Sequence, residues 1–289
     1  MIIVRLTDGL GNQMFQYALG RKLSLLHSTS LKLDINWYKG VETFKQKRKY
    51  SLNCFNIQDN IATQADLDFF FKRNILSSLN SKTRKLLQLP PQKMIVNQTR
   101  FEFDPSLFSL PKNLYLKGYW QTEKYFQDIR DILLQEDFSF KTQPDPKIVE
   151  QINNSESVSL HIRRGDYVNE PDLNRIHGIC SLEYYQNCVN YLQQYLNNPV
   201  FFIFSDDLDW VKANFYIPHK MIFVKSQPDF EDLQLMSLCN HNIIANSTFS
   251  WWGAWLNTNP DKIVCAPKQW FAVKSRDTSD LIPENWTKF

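Results

Sequence analysis

The sequence predicts an α/β protein of two domains, each built on a mostly parallel sheet. Three observations predict it. In the second half, apolar stretches of strand length alternate with stretches of helical period. The chain opens with a strand, a glycine turn and a helix, the start of a first crossover. Its 289 residues, 43% of them hydrophobic, suffice for two domains of ordinary size.

Ile2-Ile3-Val4-Arg5-Leu6 reads as a short buried strand. Asp8-Gly9-Leu10-Gly11-Asn12 is a turn into a helix from about Asn12 to Leu26, with Leu10, Met14, Tyr17, Ala18 and Leu25 at helical spacing. Leu31-Lys32-Leu33-Asp34 is the second strand. Gly9 and Gly11 let a backbone or a ligand approach the helix N-terminus, where free N–H groups favour anions or sugar hydroxyls. This turn is not the G-x-G-x-x-G dinucleotide pattern. Residues 36–60 read as irregular and 63–89 as helical, ended by Pro90-Pro91. Residues 94–96 and 114–116 read as strands, and a helix is expected over about 122–134. Residues 139–147, with Pro144 and Pro146, are the candidate linker.

The second half alternates more cleanly. Strands are expected at 157–163, 200–204, 221–224, 242–245 and 263–265, and helices at 181–196, 207–214, 230–239 and 248–257. In the first of these strands Val158, Leu160 and Ile162 alternate with Ser159, His161 and Arg163, the period of a half-buried strand.

Composition excludes several classes. Basic and acidic residues number 33 and 30, unlike a nucleic-acid protein, which needs a strongly basic domain. Five cysteines without a C-x-x-C argue against a disulfide framework or a zinc site, and for a reducing, cytoplasmic compartment. The N-terminus lacks the charged start and apolar core of a signal peptide, and no apolar run approaches the ~20 residues of a membrane span. Residues 1–150 hold 22 Lys and Arg against 15 Asp and Glu, whereas 151–289 hold 11 against 15. The excess gathers at Lys45, Lys47, Arg48 and Lys49, and at Lys72, Arg73, Lys82, Arg84 and Lys85. Solvated helix faces account for most such clusters; the sharper reading is peripheral attachment to an anionic membrane surface.

Three strand ends place polar groups where open α/β sheets bind ligands. After 157–162 come Arg163-Arg164-Gly165-Asp166-Tyr167. Arginine carries a permanent charge and five donors in a rigid fork that matches a phosphate; the alternative is a surface pair with Asp166 or Glu170. After 200–204 come Ser205-Asp206-Asp207-Leu208-Asp209, whose D-x-D either holds a divalent metal or caps a helix. After 242–245 come Asn246-Ser247-Thr248-Phe249-Ser250-Trp251-Trp252, a phosphate cup or an ordinary helix cap, with Trp251, Trp252 and Trp255 as core.

Gly9-Leu10-Gly11-Asn12-Gln13-Met14-Phe15-Gln16-Tyr17-Ala18, His161-Ile162-Arg163-Arg164-Gly165-Asp166-Tyr167 and Asn246-Ser247-Thr248-Phe249-Ser250-Trp251-Trp252-Gly253-Ala254-Trp255 resemble the three main motifs of the α-1,2-fucosyltransferases of glycosyltransferase family 11. Phe204-Ser205-Asp206-Asp207 resembles a further element. The likeness runs in order to about Pro267 and is thin across 36–115, where the acceptor would be chosen. It implies a GT-B-type fold: two Rossmann-like domains, mostly parallel sheets facing across a cleft. The domains would span 1–145 on the acceptor side and 146–289 on the donor side, the last residues packing back on the first. The donor would be GDP-β-L-fucose, with inversion and without metal or other cofactor. The acceptor would be the 2-hydroxyl of galactose on an oligosaccharide or lipid-linked glycan, as in O-antigen biosynthesis.

The same resemblance suggests roles. Arg163 would meet the β-phosphate; Arg164 would meet a second phosphate oxygen or pair with Asp166 to brace the loop. His161 would bond a phosphate or ribose, or simply pack in the core. Asn246, Ser247, Thr248, Phe249 and Ser250 would cradle the diphosphate, with Gly9 and Gly11 also on the donor and Asp207 on guanine or ribose. Asn12 resembles an asparagine that sits at the reacting sugar in related O-fucosyltransferases. The general base stays open among Asp8, Asp166, His177 and a leaving phosphate oxygen. Two other classes remain: a transferase using another GDP-sugar, and a non-catalytic nucleotide- or glycan-binding protein.

Overall fold

The computed structural model describes residues 1–43, 48–57, 60–72, 92–225, 228–273 and 276–289, and only the backbone of 40–43, 166, 169 and 173. The chain divides into two compact units, Met1–Ser139 and Phe140–Phe289. Both are the parallel-sheet α/β units that a GT-B-type fold requires.

In the first unit, strands β1 (Ile2–Arg5), β2 (Leu31–Asp34), β3 (Met94–Asn97) and β4 (Leu114–Lys117) form a parallel sheet in the order β2-β1-β4-β3. Helix α1 (Leu10–Leu26) links β1 to β2 and is buried round most of its circumference. It lies so close to β1 that a Cβ on Gly20 would sit 2.4 Å from Val4 Cγ2. The region expected to be irregular holds short 3-10 turns at Asn36–Thr43 and Leu52–Cys54. The helix expected over 63–89 begins as α2 (Gln64–Phe71), started by a Thr63–Asp66 capping box. Lys72 is already extended, and residues 73–91 of that expected helix lie outside the described residues. The helix expected over 122–134 is instead a run of short 3-10, α and π turns from Glu123 to Asp137. Phe126 leaves helical backbone, φ −148°, and its ring is fully buried.

The first helix of the second unit, α3 (Pro146–Asn153), begins at the end of the proline-bearing segment read as a linker. Proline needs no N–H partner at the first helical position, and Asp145 caps the helix through the Lys147 N–H. Six parallel strands follow: β5 (Glu156–Ile162), β6 (Pro199–Ser205), β7 (Lys220–Phe223), β8 (His241–Ile243), β9 (Val264–Ala266) and β10 (Thr287–Lys288). Their order is β10-β9-β8-β5-β6-β7. The helices are α4 (Gly165–Asn169), α5 (Pro171–His177), α6 (Leu182–Leu192), α7 (Leu208–Asn214), α8 (Phe230–Leu238) and α9 (Thr248–Leu256). The last residues, expected to pack back on the first domain, add β10 beside β9.

β5 is buried on both faces, not half-buried. Val158, Leu160 and Ile162 pack against α6, while Phe202, Phe204, Leu235 and Met236 fill the core on the opposite face. The alternating polar residues are enclosed too, so each needs a partner. Ser159 Oγ accepts from Asn242 Nδ2 at 2.7 Å, and Ser157 Oγ bonds Asn240 Oδ1 at 2.9 Å. The tryptophans are core as expected: Trp251, Trp252 and Trp255 are buried, and Trp251 Nε1 donates to Leu281 O at 2.9 Å.

Candidate active site

The chain runs β5, β6, β7 outward and then returns to lay β8 on the other side of β5. Strand order therefore reverses between β5 and β8, and the crevice beyond the carboxyl ends there is where open α/β sheets take ligands. Arg163 and Arg164 leave one wall of it; Asn246 to Ser250 leave the other.

Arg163 Nη1 lies 3.0 Å from Asp206 Oδ2, at the end of the adjacent strand. Asp206 Oδ1 also accepts the Arg164 backbone N–H at 2.8 Å. One carboxylate thus fixes the backbone and one guanidinium of the arginine pair. Arg164 is pinned further: Nε is 3.3 Å from Asp207 Oδ2, and its guanidinium carbon lies 3.3 Å from the Trp210 ring centre. The bracing partner of Arg164 is Asp207; the side chain of Asp166 lies outside the described residues. Gly165 is required by this packing, because a Cβ there would fall 2.3 Å from Asp206 Oδ2. The Arg163 side chain keeps 20% of its surface exposed and lies 5.4 Å over the Tyr167 ring. Tyr167 stacks on His177, and His177 in turn packs on Phe271.

His161 is buried beside Phe249. Burial first, and the Arg163 charge second, push its pKa down to about 3. The ring is neutral at physiological pH, and its buried Nδ1 has no hydrogen-bond partner among the described residues.

On the other wall, Ser247 caps α9 by accepting the Phe249 N–H at 3.3 Å. Ser250 is turned inward, accepting the Ala245 N–H at 3.2 Å. Asn246 also faces inward: its Nδ2 donates to His177 O at 2.9 Å, Trp270 O at 3.2 Å and Gly178 O at 3.3 Å. Asn246 and Ser250 therefore shape the loop, where direct diphosphate contacts were expected. Thr248 and Phe249 stay half-buried in the first turn of α9, whose N–H groups point out of the helix, that of Phe249 being taken by Ser247. Of the D-x-D, Asp207 caps α7 through the Trp210 N–H at 3.3 Å, while Asp209 is fully exposed and lies 3.8 Å from Lys212. No group of three or more His, Cys, Asp or Glu able to hold a metal occurs among the described residues.

In the first unit the strand order reverses between β1 and β4. Asp8 lies in the turn after β1 with φ +62°, and Trp120 in the turn after β4 with φ +48°. The left-handed region strains a residue with a Cβ, by roughly 1–3 kcal/mol. Tyr119 Oη donates to Asp8 Oδ2 at 2.9 Å, and Gln121 Nε2 to Asn12 Oδ1 at 2.7 Å. Beneath them the fully buried Gln16 ties both turns, donating to Thr7 Oγ1 at 2.9 Å and Gly118 O at 3.1 Å. Gln13 does the same between Asp8 O and Lys49 O, each at 2.9 Å. Gly9 begins α1 at φ −78°, and a Cβ there would meet Arg48 Nη1 at an ordinary 3.5 Å. Gly11 is buried in the first turn of α1.

Sequence reasoning missed Asp206, Trp210, Tyr119 and Gln121 as site residues. Asp206 carried a signal, as the first acid after an apolar strand beside β5. The other three show themselves only once strand order is known.

A family model described as glycosyl transferase family 11 matches residues 1–289. An Escherichia coli alpha-1,2-colitosyltransferase is 34% identical over 100% of this chain and 98% of its own length. The E. coli O-antigen biosynthesis glycosyltransferase WbnK is 34% identical over 97% of this chain and 98% of its own. A solved mutant of Arabidopsis thaliana FUT1 in complex with GDP shares the fold, with TM-score 0.51 and 11% identity over 91% of this chain and 69% of that one. Among the described residues no helix is long and apolar enough to cross a membrane. With a match that spans every residue and whole-length relatives at one identical position in three, the chain belongs to glycosyltransferase family 11.

Proposed function

We propose that the protein transfers L-fucose from GDP-β-L-fucose to the 2-hydroxyl of a galactose residue in a glycan, with inversion, forming an α-1,2 linkage. The observation that carries this reading is the arginine pair at the β5–β8 reversal, held by Asp206 and Asp207 opposite the α9 N-terminus. Breaking the bond from sugar to GDP leaves charge on the diphosphate. Preorganised donors that meet this charge lower the barrier without reorganising at the moment of reaction. Arg163 is assigned to the leaving β-phosphate, with Thr248 and the N-terminal end of α9 on the same group. Arg164, locked between Asp207 and Trp210, positions Arg163. On this reading the arginine charge replaces a divalent cation, and EDTA leaves turnover intact.

A second donor has its own support, because one whole-length relative is an alpha-1,2-colitosyltransferase. Colitose is L-fucose without its 3-hydroxyl. A site that hydrogen-bonds that hydroxyl discriminates strongly against the deoxy sugar, whereas one that only encloses it does not. The test offers GDP-L-fucose and GDP-L-colitose separately with a panel of galactosides, followed by linkage analysis. The reading expects a fucosyl-α-1,2-galactoside as the main product. Preference for GDP-colitose would replace the donor, and a different linkage would replace the acceptor atom.

A further inference from the structure

We propose that an open cavity at the amino ends of β5 and β8 is a second carbohydrate site, one that takes the hydroxyls of a glycan. The cavity lies wholly within the second unit and measures about 680 Å³, within the range of small-ligand pockets. Its walls are the end of α3, the start of β5, the start of β8 and the turn from α9 to β9. The arginine pair leaves the opposite edge of the same sheet, roughly 20 Å along β5. The site is therefore separate from the crevice described above, and independent of which sugar the donor carries.

Small-ligand pockets are mostly apolar. Among the described residues every side chain that lines this one is polar, and none is a lysine or arginine. The nearby Lys262 is committed elsewhere, its Nζ donating to Ala254 O and Asn257 O, each at 2.7 Å.

His241 is the most buried residue of the wall, 8% exposed. Its Nδ1 accepts the Ile263 N–H at 3.0 Å. Burial lowers its pKa, against the opposing pull of Glu156 and Asp261. The neutral ring therefore carries its proton on Nε2, and no described residue accepts it. Asn240 adds a second donor. Its Oδ1 accepts the N–H and the Oγ–H of Ser157, each at 2.9 Å, which orients the amide. Both Nδ2 hydrogens stay unused among the described residues. The Asn240 carbonyl is held as well, by Asn259 Nδ2 at 3.1 Å and Asn257 Nδ2 at 3.3 Å, so the donor sits on a fixed backbone.

The acceptors are carboxylates. Glu156 Oε2 accepts the Asn198 N–H at 2.6 Å, which leaves Oε1. Asp261 is exposed, and no described group bonds its carboxylate.

This mixture selects the ligand. An anion would meet two carboxylates and no cation. An organic cation would meet two N–H donors. No group of three or more His, Cys, Asp or Glu able to hold a metal occurs among the described residues. A sugar hydroxyl both donates and accepts, so neighbouring hydroxyls of one ring can use a carboxylate and an N–H donor together. In an enzyme of a sugar-transferring family, such a site holds a stretch of glycan away from the diphosphate crevice.

The test reads the cavity through the His241 imidazole, by nuclear magnetic resonance on the full chain with saturating GDP. The protein has five histidines, and comparison with His241→Gln assigns the signal. The probes are N-acetyllactosamine oligosaccharides, with spermine and inorganic phosphate as the cationic and anionic alternatives. No donor sugar is present, so failure of the donor reading leaves this result untouched. The proposal expects a saturable shift of the His241 signal by the oligosaccharide. Affinity should fall about tenfold or more in Asp261→Ala and in Glu156→Gln. Asp261 is exposed, and glutamine keeps an acceptor for the Asn198 N–H, so both variants should hold the wild-type thermal midpoint. A shift with spermine or phosphate but not with the oligosaccharide would overturn the ligand class. No shift with any probe, or an oligosaccharide shift that both variants keep at full affinity, would overturn the site.

Discussion

Arg163 and Asp206 join the carboxyl ends of two neighbouring parallel strands through a 3.0 Å contact between Nη1 and Oδ2. The pairing orients a cation at the crevice while leaving part of it open to a ligand. Arg163→Ala is expected to lower transfer about 10²- to 10³-fold, the scale of losing one preorganised donor at a developing charge. Arg163→Lys keeps charge but loses the fork, and should fall between. Single-turnover kinetics at saturating donor checks both. Near-normal turnover in the alanine variant would remove Arg163 from the leaving group.

Gly165 should accept no larger residue. Its added Cβ would displace Asp206, the partner of both arginines. Gly165→Ala is expected to cost about 1–3 kcal/mol by overpacking and at least tenfold in kcat. Denaturant midpoints alongside kinetics separate the two, because the kinetic loss should persist at temperatures where the variant is fully folded.

Asn246 holds three backbone carbonyls at once, those of His177, Gly178 and Trp270. Asn246→Ala leaves buried acceptors without a donor and should destabilise by about 3 kcal/mol. Urea unfolding checks this. A variant of unchanged stability but lost GDP binding would return Asn246 to the ligand.

His161 gives a pH signature. Its folded pKa of about 3 lies below the unfolded value of about 6.5, so the unfolded chain binds the extra proton. Its burial as a neutral ring is therefore harmless above pH 6.5 and costs stability as pH falls below it. Between pH 7.5 and 5 the loss is about 2 kcal/mol. Urea curves at both values should show that His161→Gln loses less stability than wild type. An identical slope in the two proteins would contradict the assignment.

Much of this was legible in the sequence because the second-half strands are apolar runs with clear ends. Each of the five expected there overlaps an observed one, from β5 to β9. What failed did so for physical reasons. Pro146 was read as part of a linker but serves as the first residue of a helix. β5 alternates apolar and polar residues, yet a serine–asparagine network buries the polar side as well. The partner of Arg164 lies 43 residues away, on the loop of a strand whose neighbours no local pattern declares. Asn246 was read as a donor-binding residue, but a side-chain amide on a strand exit can equally serve a backbone, and here its Nδ2 donates to three backbone carbonyls.

The central claim is that the arginine pair at the β5–β8 reversal receives the diphosphate of a sugar nucleotide. A crystal structure of the protein with GDP tests it most directly. The account predicts β-phosphate oxygens within hydrogen-bond distance of Arg163 and of the first N–H groups of α9. A diphosphate bound away from Arg163, Arg164 and Thr248 would contradict it.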